Sequence, residues 1–193
     1  RSPVCALASH GSLVVHGEEE VALKYIHSVY SSMDMKLVAT LKLVPEVDQK
    51  TALVALMTRF NEACNWLAQR AFELQTADKL RLQKLHYAEI RERFSLGSQF
   101  AVRVISKVCE AYKRDKTRLP RFRPDGAVPY DQRIYTFKHG LDRLSLSTLD
   151  GRVVVPTVIG PYFRAKLEGV RGQADLVSKK GKLFFYVTVE VPE

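Results

Sequence analysis

Residues 36–45 read KLVATLKLVP, and the pairing of this one stretch decides the fold. Leu37, Ala39, Leu41 and Leu43 alternate with Val38, Thr40, Lys42 and Val44, the period of a strand with one buried face. Pro45 ends the run and suits the start of a helix. From residue 47 to about 117 the pattern is helical, and strand signals resume only after Pro124. A half-buried strand cannot leave its backbone N–H and C=O groups unpaired. Its partners must therefore come from the later strands, across the helices. The expected class is α+β: an antiparallel, OB-like β-barrel with a helical bundle inserted after its first strand. Residues 36–45 and 118–193 are assigned to the barrel, 46–117 to the helical insertion, and 1–35 to an N-terminal extension outside the core.

Three helices are legible. Residues 47–75 carry Leu53, Leu56, Met57, Phe60, Cys64, Leu67, Ala71 and Leu74 at helical spacing, with Trp66 beside that stripe. A second helix over 79–94 is expected to turn Leu82, Leu85 and Ile90 inward. The third opens at Gly97 and Ser98, with Ser98 as the expected N-cap. It sets Ala101, Val104, Ile105, Val108 and Tyr112 on one face and Gln99, Arg103, Lys107, Glu110 and Arg114 on the other. PDGAVPYD (124–131) reads as turn material. QRIYTFK (132–138), DRLSLST (142–148), RVVVPTV (152–158), QADLVS (173–178) and KLFFYVTVEV (182–191) read as strands, the last two joined at KKGK (179–182).

The 193 residues hold 30 Lys and Arg against 21 Asp and Glu, a formal net charge of +9. The pI is about 9.5. This balance makes nucleic acid the leading partner class, with an anionic membrane surface or plain solubility as the alternatives. No apolar run approaches the ~18 residues of a bilayer span. Cys5, Cys64 and Cys109 form no CxxC, and the latter two lie on apolar helical faces, which suits a reducing, cytoplasmic compartment. His10, His16, His27, His86 and His139 have no ligand spacing, so no metal site is expected. The stretch VCALASHGSLVV (4–15) lacks the basic segment and length of a secretory signal and reads as upstream sequence. EEEVALKYIHSVY (18–30) fits an amphipathic helix.

YKRDKTRLPRFRP (112–124) concentrates Lys113, Arg114, Lys116, Arg118, Arg121 and Arg123, with only Asp115 opposing them. Guanidinium groups bind phosphate bidentately and stack on bases, and aromatic rings offer stacking platforms. Phe122 reads either as such a platform or, preferably, as a staple packed under the barrel. Arg103 and Lys107 extend the stripe back along the helix. These nine side chains, Phe122 included, are the candidate nucleic-acid contacts, with phosphate as the expected target. Asp125, Asp131, Asp142, Asp150 and Asp175 fall in turns, where Asp serves backbone hydrogen bonding. There is no nucleophile elbow, Walker loop or GxGxxG, so no catalytic residue and no cofactor is assigned.

Six segments together resemble the N-terminal part of the TnpB (OrfB) family, transposon-encoded RNA-guided DNA nucleases related to compact type V CRISPR effectors. They are ATLKLVPEVDQ (39–49), FNEACNWLAQRAFE (60–73), LGSQFAVRVISKVCEAYKR (96–114), PRFRPDGAVPYDQR (120–133), DGRVVVPTVIGPY (150–162) and GKLFFYVTVEVPE (181–193). The resemblance covers residues 36–193. It implies a wedge barrel interrupted by a recognition domain, with guide RNA and target DNA as partners and no membrane. In that family cleavage belongs to a RuvC-like domain whose three acidic residues hold divalent metal ions. That domain begins after the strand matching FFYVTVEV, and neither its carboxylates nor the family's zinc finger is among these residues. The expectation is the binding part of a nuclease or a catalytically inactive binding remnant.

By position, the resemblance sets Gln99, Arg103 and Lys107 toward the duplex beside the target, with the family's glutamine patch kept only as Gln99. It sets residues 118–123 beside the RNA scaffold. Asn65 and Trp66 match the family's NW pair, Trp66 expected to pack and Asn65 to hold a helix contact. A non-guided OB-like binder of RNA or single-stranded DNA, and a basic interaction domain without nucleic acid, remain the alternative classes.

Overall fold

In the computed structural model, which describes residues 35–167 and 170–191, strand β1 (Met35–Leu43) pairs antiparallel with β5 (Gly151–Ile159). Leu41 faces Ile159, Lys42 faces Val158 and Leu43 faces Thr157. The strand before the helices is thus closed by one after them. Expectations for residues 1–34 lie outside the described residues.

The remaining strands are β2 (Val128–Tyr130), β3 (Tyr135–Lys138), β4 (Arg143–Thr148), β6 (Val170–Lys179) and β7 (Lys182–Val191). They run in the order β2-β6-β7-β1-β5-β4-β3 and form a nearly closed antiparallel barrel. Side chains bridge the seam between the two end strands. The Tyr135 hydroxyl donates to the Gly172 carbonyl (3.0 Å) and the Tyr130 hydroxyl to that of Ser147 (2.7 Å). Tyr130 is fully buried, so its hydroxyl needs such an acceptor.

Between β1 and β2 run α1 (Val47–Glu73), α2 (Lys79–Phe94) and α3 (Ser98–Arg114). A capping box of Glu46 and Gln49 starts α1, and the Gln49 amide also donates to the Val154 carbonyl (3.1 Å), tying the helix start to β5. Leu53, Leu56, Met57, Phe60, Cys64, Leu67 and Ala71 are buried as their spacing predicts. So is the apolar face of α3, from Ala101 to Tyr112. Helices and barrel share one hydrophobic core. Edge-on rings run from Phe100 of α3 to Tyr130 (5.4 Å), Phe185 (5.5 Å) and Tyr135 (5.2 Å), which joins the bundle to the barrel interior.

Several local expectations change. The stretch read as turn contains β2, whose Pro129 is tolerated because β2 ends the strand order and one side needs no N–H. Leu85 is 52% exposed, because Leu82 and Ile90 lie eight residues apart on the buried line and Leu85 falls off it. Ser98 is the first residue of α3, not its cap; Gly97 holds the cap position with no side-chain bond. A short helix, α4 (Pro161–Lys166), was not foreseen. No described helix is long and apolar enough to cross a membrane.

Candidate nucleic-acid interface

Asn61 and Asn65, one turn apart on α1, both reach the chain that leaves α3. The Asn65 amide closes a two-way clamp on the Phe122 backbone: Nδ2 donates to its carbonyl (2.8 Å) and Oδ1 accepts from its N–H (2.8 Å). The expectation of a helix contact for Asn65 is therefore corrected; it pins the basic loop. Asn61 is fully buried. Its Nδ2 donates to the carbonyls of Met57 (2.9 Å), Gly126 (2.9 Å) and Pro124 (3.4 Å), and its Oδ1 accepts from Lys107 Nζ (3.0 Å).

Lys107 also donates to the Ala127 carbonyl. Its ammonium lies 5.3 Å from the ring centroids of both Phe60 and Phe122. Burial holds its pKa below the ordinary lysine value. Lys107 was expected to face phosphate from a solvated helix side. Its donors instead serve internal acceptors, because the segment 122–127 packs over that side. Gly126 completes the knot: a Cβ there would stand 2.9 Å from the Arg123 carbonyl oxygen and 3.1 Å from Asn61 Oδ1.

Around this fixed frame the cations point outward. Lys113, Arg114, Lys116, Arg118, Arg121 and Arg123 are all exposed. The Arg118 and Arg123 side chains reach 87% and 82% exposure. Asp115 accepts from the backbone and hydroxyl of Thr117 (2.9 and 2.6 Å), and these bonds hold its carboxyl below the usual range. It stands 3.8 Å from Arg118, and Asp125 stands 3.6 Å from Arg123. Pairs this exposed neutralise little. Lys113, Arg114, Lys116 and Arg121 have no ion pair among the described residues. Phe122 is half-buried against the core.

At the other end of α3, about 22 Å away at 1.5 Å per residue, Gln99 and Arg103 face the barrel. Arg103 Nη2 pairs with Asp131 Oδ2 at 3.0 Å, each side chain only 17% exposed. The Gln99 amide, turned to satisfy both neighbours, donates to Asp131 Oδ2 (3.2 Å) and accepts from Arg133 Nη1 (3.2 Å). A cleft of about 400 Å³ opens here, lined by Lys79, Gln99, Arg103, Gln132, Arg133 and Gln173 among others.

Comparison with protein-family models and with curated proteins gives no match for this chain.

The sequence named only Gln99 and Arg103 in this cleft. Asp131 reads in the sequence as a turn residue, and Lys79, Arg133 and Gln173 come from separate elements that only the tertiary fold brings together. No local signal would have assembled them. Elsewhere, Cys64 is buried and its thiol is pushed up to about 12, which keeps it protonated and inert. Among the described residues no three His, Cys, Asp or Glu side chains gather around a metal-sized space.

Proposed function

We propose that this chain is the nucleic-acid-binding part of an RNA-guided DNA endonuclease of TnpB type, working in the cytoplasm. In this reading the loop 118–123 lies along the guide RNA scaffold, and the cleft of Gln99 and Arg103 meets the duplex beside the DNA target. Cleavage is assigned to no described residue. The observation that carries the reading is the contrast between the two kinds of cation. Lys107 is drawn inside to fix the loop, while six neighbouring cations stay exposed with weak or no partners. Like charges held close on a fixed backbone repel one another, and a phosphate backbone relieves that repulsion.

The test is the triple substitution of Arg118, Arg121 and Arg123 to Gln in the full chain. RNA affinity should fall, and the slope of log affinity against log salt should shrink by about two to three, at ~0.7–0.9 per phosphate. Folding should survive, because exposed cations contribute little to stability. An unchanged affinity and slope in a folded variant would overturn the reading.

A further inference from the structure

Beside the Asn65 clamp lies a recess of about 340 Å³, lined by Asn65, Gln69, Leu119, Pro120, Arg121 and Phe122. Leu119, Pro120 and Phe122 form one wall, with Leu119 and Phe122 packed on the core. Gln69 is exposed on α1; its Nε2 bonds Glu73 (3.0 Å), while its Oε1 has no donor among the described residues. Arg121 stands at the rim with no ion pair among the described residues. The wall is held in place because Phe122 is fixed through both its N–H and its carbonyl. The volume sits at the lower end of the ~300–1,000 Å³ of small-ligand clefts. That is room for one flat ring system and not for a duplex.

We infer that this recess accepts one unstacked nucleobase of a single-stranded RNA segment whose flanking phosphates lie on Arg118, Arg121 and Arg123. The inference rests on the phosphate reading above and adds a base-binding subsite to it. The Leu119–Phe122 wall takes the face of a ring, the Gln69 carbonyl accepts from an exocyclic amine or ring N–H, and the Arg121 guanidinium stacks or donates. A paired base cannot enter, because its edge is occupied and its faces are covered by neighbours in the stack. Asn65 acts here as a positioning residue: its amide holds the wall, and the wall touches the base.

The test uses a 12-nucleotide single-stranded RNA carrying 4-thiouridine, cross-linked by near-ultraviolet light to the full chain and mapped by mass spectrometry. Cross-links should map to Leu119–Phe122 and should disappear when the strand is annealed to its complement. An abasic RNA of equal length should bind roughly 5- to 150-fold more weakly, the span expected for losing one stacked base. Asn65→Ala and Gln69→Ala should each shrink that ratio while leaving the salt slope intact, since no charge is removed. Cross-links mapping only elsewhere, or equal affinity for abasic and natural strands, overturn the inference. If that happens while the triple arginine variant still loses its salt slope, the phosphate reading stands alone.

Discussion

Replacing Asn61 by leucine probes the centre of the frame that holds the basic loop. The branched shape is kept, although each methyl is bulkier than the atom it replaces, and two partners lose what the amide supplied. The Gly126 carbonyl loses a 2.9 Å donor, and Lys107 loses one of its two oxygen acceptors. The 3.4 Å contact to Pro124 is too long to count for much, and the Met57 carbonyl keeps its helical partner. Each buried polar group left without a partner costs about 1–3 kcal/mol. Lys107 is only partly buried, so its share lies at the low end, and the sum is about 2–4 kcal/mol. For a chain of this length 1 kcal/mol shifts the midpoint by ~2–4 °C. The thermal midpoint, followed by circular dichroism, should therefore fall by roughly 5–15 °C. The double variant Asn61→Leu with Lys107→Met should lose about 1 kcal/mol less than the sum of the singles, because both ends of one bond go together. An Asn61→Leu midpoint within ~2 °C of the parent, or strict additivity in the double variant, would refute the reasoning.

Gly126→Ala should cost about 1–3 kcal/mol, since its methyl meets the Arg123 carbonyl and the Asn61 amide; a melt at the parent midpoint would show that the loop can move aside. Lys107 gives a pH signature. Its folded pKa is depressed, so between that value and the ordinary 10.5 the unfolded chain binds more protons, and this group's contribution to stability rises with pH. The stability difference between parent and Lys107→Met, measured in urea, should shift in favour of the parent from pH 7.5 to 10; a flat difference contradicts the assignment. Phe122→Ala should lower stability by about 1–3 kcal/mol, less than for a fully buried ring, and leave the salt slope of RNA binding unchanged.

The insertion was legible because β1 alternates cleanly and the chain after it reads as helix as far as residue 117, so a partner was expected among the later strands. The stripes of α1 and α3 were legible for the same local reason. The roles of Asn61, Asn65 and Lys107 were not, and the cause is specific. Asn61 stands within the apolar stripe, between Met57 and Cys64, but its loop partners lie 63 and 65 residues further on. Lys107 shares its helical face with Arg103 and Glu110, and a periodicity argument treats such a face as solvated. It fails where a later loop covers one turn of it. Asp131 misled in the opposite way: its turn bond to the Arg133 N–H (2.9 Å) is present, yet its other oxygen also holds Arg103.

These internal bonds bear on function through entropy. A flexible basic loop loses conformational freedom for each side chain and backbone unit that a ligand immobilises, and affinity falls accordingly. In this chain part of that ordering is complete before any ligand arrives. Asn65 fixes Phe122, Asn61 fixes Gly126, and Lys107 fixes Ala127, so Arg121 and Arg123 project from a backbone set by three helical side chains. A loop that served solubility alone would gain nothing from such anchoring, and burying a lysine against two aromatic rings costs desolvation. Loosening the anchor while keeping every exposed cation therefore separates the two purposes. Asn65→Ala should weaken RNA binding at constant salt slope if the loop is a preorganised site, and leave binding untouched if its charge serves only to keep the chain in solution.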